Sequence, residues 1–210
     1  TTDGKVYCWG YNGVGALGDG TFTSSDVPVA VDTSGALAGK RVVAIGASDY
    51  QGYAMTEDHL VFAWGRNVKG ELGIGITGGY YPSPMPVVMS GALSGKIVTD
   101  VTGGEFYSLA RTSDGGIYAW GDNTDGQLGE GNTSHRGDDP GEMGADLPTV
   151  DLGPGAGDDG GEEHALVSAR EIGLTRTALP TTVVSVALVL ARSVSTVPAP
   201  EGRVAQPRRV

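Results

Sequence analysis

"DGKVYCWGYNGVGALGDGT" (Asp3–Thr21) packs a turn, a short extended run and six spaced glycines into one stretch. Two readings compete for it: a glycine-rich ligand loop, or one unit of a structural repeat. The stretch recurs as "DHLVFAWGRNVKGELGIGI" (Asp58–Ile76) and "GGIYAWGDNTDGQLGEGNT" (Gly115–Thr133), with Trp9, Trp64 and Trp120 spaced by 55 and 56 residues. All three obey W-G-x-N-x-x-G-x-L-G. The signature residues are Trp9, Gly10, Asn12, Leu17 and Gly18; Trp64, Gly65, Asn67, Leu72 and Gly73; and Trp120, Gly121, Asn123, Leu128 and Gly129. A dinucleotide-binding loop needs its glycines to open a helix. Here they follow the end of a Trp-bearing strand, so they are turn chemistry.

The repetition extends outward. "SGALAGKRVVAIGAS" (Ser34–Ser48) aligns with "SGALSGKIVTDVTGG" (Ser90–Gly104), and each unit carries a Pro-led apolar run at Pro28, Pro86 or Pro148. One unit therefore reads as four short extended segments. Val6 and Cys8 alternate with Tyr7 and Trp9, as Val61 and Ala63 do with Phe62 and Trp64, the two-residue period of a pleated strand. Asp3-Gly4 and Asp114-Gly115 are tight-turn pairs. No stretch before residue 150 has helical periodicity. Four strands recurring at about 50 residues are the mark of a propeller blade.

These residues resemble the regulator of chromosome condensation repeat family, whose repeats build a seven-bladed β-propeller. The expected fold is all-β: a partial propeller of four-stranded antiparallel blades, about three repeats, with a largely irregular C-terminal tail. Residues 1–153 hold the repeats, as a partial unit over 1–33 and full units over 34–89 and 90–153. A degenerate fourth unit is expected over 154–178, where "GGEEHALVS" (Gly160–Ser168) echoes "GGEFYSLAR" (Gly103–Arg111). A poorly ordered tail follows over 179–210. The chain starts at the last hairpin of a blade, which reads as a fragment of a longer propeller.

Bulk composition narrows the function classes. The 210 residues include 36 glycines, suited to short strands with marked turns, and the net charge of −11 argues against direct binding of nucleic acid. The single cysteine, Cys8, permits no internal disulfide. The apolar run in "LPTTVVSVALVLARSV" (Leu179–Val194) is too short for a membrane span. It departs from a sortase-anchor pattern at Val183.

Catalytic and metal chemistry find little support. "DNTDGQLGEGN" (Asp122–Asn132) looks like a calcium loop, but Gly126 falls fifth where the EF-hand order wants glycine sixth. His59, His135 and His164 are isolated, and Cys8 occupies a slot held by Ala63 and Ala119 in the other units. The acidic pairs Asp138–Asp139 and Asp158–Asp159 read as solvated loops, and "RGD" (Arg136–Asp138) as an exposed one. No nucleophile, base and orienter can be drawn together. The chain is expected to be no enzyme and to need no cofactor or metal.

The best binding candidates are loop aromatics and their neighbours. "SDYQGY" (Ser48–Tyr53) and "GEFYS" (Gly104–Ser108) would recur on one propeller face, presenting Tyr50, Gln51, Phe106 and Tyr107; Tyr80 and Tyr81 lie in "GGYYPSP". Aromatic loop residues supply rigid contact area. The expected function is a protein-interaction module binding a protein partner through loops on one face. The alternative implied by the resemblance is guanine-nucleotide exchange on a small GTPase. The resemblance includes secreted bacterial proteins, which favours a secreted or cell-surface location over a cytoplasmic or nuclear one.

Overall fold

The computed structural model describes residues 1–153. The fourth-unit echo, His164, Asp158–Asp159 and the tail lie outside the described residues. Nine strands run in chain order: β1 (Tyr7–Gly10), β2 (Ser25–Ala30), β3 (Val42–Ala47), β4 (Gln51–Thr56), β5 (Val61–Arg66), β6 (Tyr80–Pro86), β7 (Val98–Gly103), β8 (Tyr107–Thr112) and β9 (Ile117–Gly121). They form three antiparallel sheets, ordered β1-β2, β3-β4-β5-β6 and β7-β8-β9. One 3-10 turn, Gly91–Leu93, is the sole helical element among the described residues.

Each sheet leans face to face on the next, with the innermost strands β3 and β7 in contact. The period-two alternation of β5 takes on a specific meaning in this stack. Every residue from Val61 to Gly65 is buried, so the pattern does not divide core from solvent. Phe62 and Trp64 pack toward the first sheet with Val6, Val31, Leu37 and Ala54. Val61 and Ala63 pack toward the third with Val98, Val101, Tyr118 and Trp120. A strand sandwiched between two blades buries both faces, and alternation sorts its side chains between two neighbours. In β1 only the Val6–Cys8 face is covered this way; Tyr7 and Trp9 are 42% and 39% exposed.

The third unit departs from the four-strand expectation at its outer edge. Its Pro-led run makes no continuous strand; two isolated bridges, Gly121↔Arg136 and Tyr118↔Thr149, mark the place. Between them residues 137–148 loop out, and Met143 and Leu147 drop into the core. Met143 reaches the Trp120 side of Gly73, so the segment contributes burial where β6 contributes ladder hydrogen bonds.

The repeated motif is explained atom by atom. The asparagine is fully buried in each unit, and its Oδ1 accepts the leucine N–H: Leu17 at 2.8 Å, Leu72 at 3.0 Å and Leu128 at 3.0 Å. Its Nδ2 donates to a carbonyl across the turn, from Asn12 to Thr21, Asn67 to Ile76 and Asn123 to Asn132. One side chain thus closes the whole glycine turn from inside. The glycine after each tryptophan sits at positive φ, 109°, 104° and 105° at Gly10, Gly65 and Gly121, which L side chains resist. In the first two units it also coincides with a register shift in the ladder, as in a β-bulge.

Candidate protein-interaction face

The turn after Trp64 and the two inner loops converge at one end of the blades. Gly65 has no Cβ, and one placed there would lie 2.1 Å from the carbonyl oxygen of Tyr50. That close approach lets the next residue, Arg66, donate its backbone N–H to Tyr50 at 3.1 Å. Asp122 repeats the bond to the Phe106 carbonyl at 2.9 Å, one blade on. The sequence motif thereby pins both candidate loops.

Arg66 is the centre of the resulting cluster. Its guanidinium carbon lies 3.9 Å from the centroid of the Phe106 ring and 5.6 Å from that of Tyr50, within cation–π range of both. Glu105 stands 3.6 Å from Nη1. Beneath it, buried Glu71 presents Oε1 at 3.7 Å from Nε, an ion pair beyond hydrogen-bond reach. Burial raises the Glu71 carboxyl above its ordinary range, opposed by the backbone N–H groups of Glu71, Lys69 and Val68 and by the Arg66 charge. Tyr80, 48% exposed, is the cross-strand partner of Arg66 and extends the patch outward.

The six candidate residues therefore separate. Tyr50, Phe106 and Tyr80 share the surface around Arg66. Gln51 does not reach it: it is 2% exposed, accepts from the Ser48 hydroxyl and donates to the Glu105 carbonyl at 3.2 Å. Gln51 is thus a strut tying one loop to the next. Tyr81 packs against the larger core cluster. Tyr107 is half-buried, and desolvation, with the nearby Asp49 charge, raises its phenol.

Arg66 escaped the sequence reading because it occupies a variable position of the motif, read as Tyr11 and Asp122 in the other units. A signal was nevertheless present. The positions one after W-G and one before L pair across the turn, as Arg66 with Glu71 and as Asp122 with Gln127, whose Nε2 donates to Asp122 at 2.9 Å. Burial works to raise the Asp122 carboxyl but is outweighed by Thr124, His135 and Gln127, which hold it low. Those contacts account for the calcium-like acidic stretch as a self-satisfied turn. His135 accepts the Asn123 N–H at 2.9 Å, and Arg136 of the RGD sequence is braced by Glu130 at 2.7 Å. Burial, then Asp19, pushes the Cys8 thiol up to about 11, the behaviour of a small core residue.

Stacked antiparallel sheets, joined by a tryptophan from one blade on the turn of the preceding one, define a β-propeller repeat protein. The family model described as Regulator of chromosome condensation (RCC1) repeat matches residues 3–55, 58–111 and 114–149, and a second model of the same description matches residues 98–127. The chain belongs to this repeat family. Human E3 ubiquitin-protein ligase HERC2 is 34% identical over 134 residues, covering 64% of this chain and 3% of that protein. The Xenopus laevis Protein RCC2 homolog is 33% identical over 129 residues, covering 61% of this chain and 24% of the relative. The chain thus spans less than a quarter of either relative's length. Among solved structures, human WBSCR16 superposes with a TM-score of 0.54 at 23% identity, over 67% of this chain and 33% of the other. Yeast RCC1 (Prp20), solved with Kap60, gives 0.54 at 20% identity, over 73% and 35%.

Proposed function

We propose that this chain is a non-enzymatic protein-interaction module whose partner docks on the blade end formed by Tyr50, Arg66, Phe106 and Tyr80. The observation carrying this reading is the Arg66 guanidinium held 3.9 Å from the Phe106 ring and 5.6 Å from that of Tyr50. Arginine and tyrosine are the residue types that dominate binding hot spots, and here the stack holds them rigid before a partner arrives. The net charge of −11 and the flanking Glu105 and Asp49 suit a partner with a basic surface, steered by complementary charge.

The experiment is affinity capture with the chain, followed by titration of the captured partner against single alanine variants. Phe106→Ala, Arg66→Ala and Tyr50→Ala should each weaken binding about tenfold or more, the size of a hot-spot loss of ~1.4 kcal/mol. Unchanged affinity in all three removes the proposal. A second reading, nucleotide exchange on a small GTPase, draws on a solved relative, Prp20p of Saccharomyces cerevisiae, described with its binding to Gsp1p and histones. That relative is 25% identical with a TM-score of 0.50, over 62% of this chain. Accelerated nucleotide release from a captured GTPase would favour the second reading; unchanged release would leave the first.

A further inference from the structure

The motif asparagine closes each turn from inside, and one copy of it stands in a different chemical setting. Asn12 is followed by Gly13, where Asn67 is followed by Val68 and Asn123 by Thr124. Asparagine is a thermolabile residue because its amide carbon can be attacked by the next backbone nitrogen. A glycine in that next position leaves the nitrogen unshielded, whereas a β-branched residue covers it. Gly13 is exposed, while Asn12 itself is fully buried.

The folded turn fixes both ends of the Asn12 amide. Its Oδ1 accepts the Leu17 N–H at 2.8 Å, and its Nδ2 donates to the carbonyls of Thr21 at 2.9 Å and Thr23 at 3.2 Å. The first unit adds a partner that the second lacks: Asp19 Oδ1 lies 3.2 Å from Nδ2, at the position held there by Ile74. Nδ2 is thus surrounded by oxygens that only a donor satisfies. The same turn carries the seam to the next blade. The Ala16 carbonyl accepts the Trp64 indole N–H at 3.0 Å, Gly18 backs that ring, and Gly20 donates to the Pro82 carbonyl at 2.9 Å.

We propose that Asn12–Gly13 is a self-modification site that works as a one-way latch on the first blade seam. Closed, the turn holds the amide against cyclisation; opened, the amide deamidates and the turn no longer recloses. In the reaction the Gly13 nitrogen attacks Asn12 Cγ and forms a five-membered imide. The Cγ–Nδ2 bond breaks, and Nδ2 leaves as ammonia with the proton that Gly13 gives up. Water then opens either imide carbonyl, leaving aspartate or isoaspartate at position 12. Neither product fits the closed turn. A carboxylate replaces the donor with an acceptor facing Thr21, Thr23 and the like charge of Asp19, buried oxygens with nothing to match them. Isoaspartate also adds a carbon to the main chain inside the turn. The latch is separate from the Arg66 patch, and the two proposals stand or fall independently.

The test follows the full 210-residue chain by peptide mass in mildly alkaline buffer, folded and in urea. The tryptic peptide Val6–Lys40 contains Asn12 as its one asparagine, so an amide-to-acid mass gain in it reports this site alone. Conversion should be at least about tenfold slower in the folded chain, the protection that an opening cost of ~1.4 kcal/mol confers. Asn67 and Asn123 should stay intact in urea over the same period. Equal rates at Asn12 in the folded and unfolded chains overturn the proposal. On dilution from urea, converted chains should fail to rebury Trp64 and give red-shifted, acrylamide-quenchable emission, while Gly13→Ala chains treated alike recover. Gly13 is not at positive φ, and a Cβ there first meets the movable end of the Tyr11 side chain, so this variant keeps the turn. Asn12→Asp supplies one product without the reaction and decides independently of refolding. An Asn12→Asp chain with Trp64 buried and wild-type stability in urea overturns the latch.

Discussion

Position 67 shows why the motif specifies an amide. Asn67 is fully buried, accepts from Leu72 and donates to Ile76, two jobs that need both ends of a carboxamide. Asn67→Asp keeps the acceptor and turns the donor into a second acceptor facing a carbonyl. The expected loss is about 2 kcal/mol or more, read from urea unfolding, since a buried polar group left unmatched costs about 1–3 kcal/mol and a charge costs more. Glu71 is the opposite case, a buried carboxylate whose carboxyl is raised by desolvation. The folded state then holds the Glu71 proton to higher pH than the unfolded chain does. Its contribution is present below the unfolded value and is lost as pH rises through the folded one. Glu71→Gln does not titrate, so its stability relative to wild type should improve as pH rises above the ordinary carboxylate range and level off once the folded Glu71 carboxyl is ionised. A difference that stays flat with pH refutes the assignment. Gln127 already fills the equivalent slot in the third unit.

At the scale of the strand, the three tryptophans share a sequence position and differ in environment. Trp64→Ala empties a site closed by Gly18 and Gly52, where an added Cβ would meet the indole at 2.6 and 2.3 Å. The expected loss is about 3–5 kcal/mol, as for other large-to-small core changes. Trp9→Ala, measured by the same melts, should stay within about 0.5 kcal/mol, as surface changes do. Equal losses at the two positions would mean that Trp9 is also covered. The strands themselves were legible: the four extended segments of the middle sheet, the turn glycines and the Trp-Gly ends appear as expected. Their burial was not, because β4 and β5 are closed on both faces by neighbouring sheets. The fourth strand of the last unit is replaced by a loop because Met143 and Leu147 find burial there.

For the molecule as a whole, the repeat matches and the sheets are out of phase. The match over 58–111 holds β5 and β6 of one sheet, then β7 and nearly all of β8 of the next, so each sequence unit staples two blades. The sequence by itself determined the strands, the turns and the family, because the asparagine, glycines and tryptophan of each unit satisfy local backbone geometry within about twenty residues. Only the tertiary structure decided which tryptophan is core, which loop aromatics meet and where Arg66 lies. Those outcomes depend on the neighbouring blade, which brings together residues far apart in the chain: Trp64 onto Ala16, Gln51 onto Glu105, and Phe106 onto Arg66.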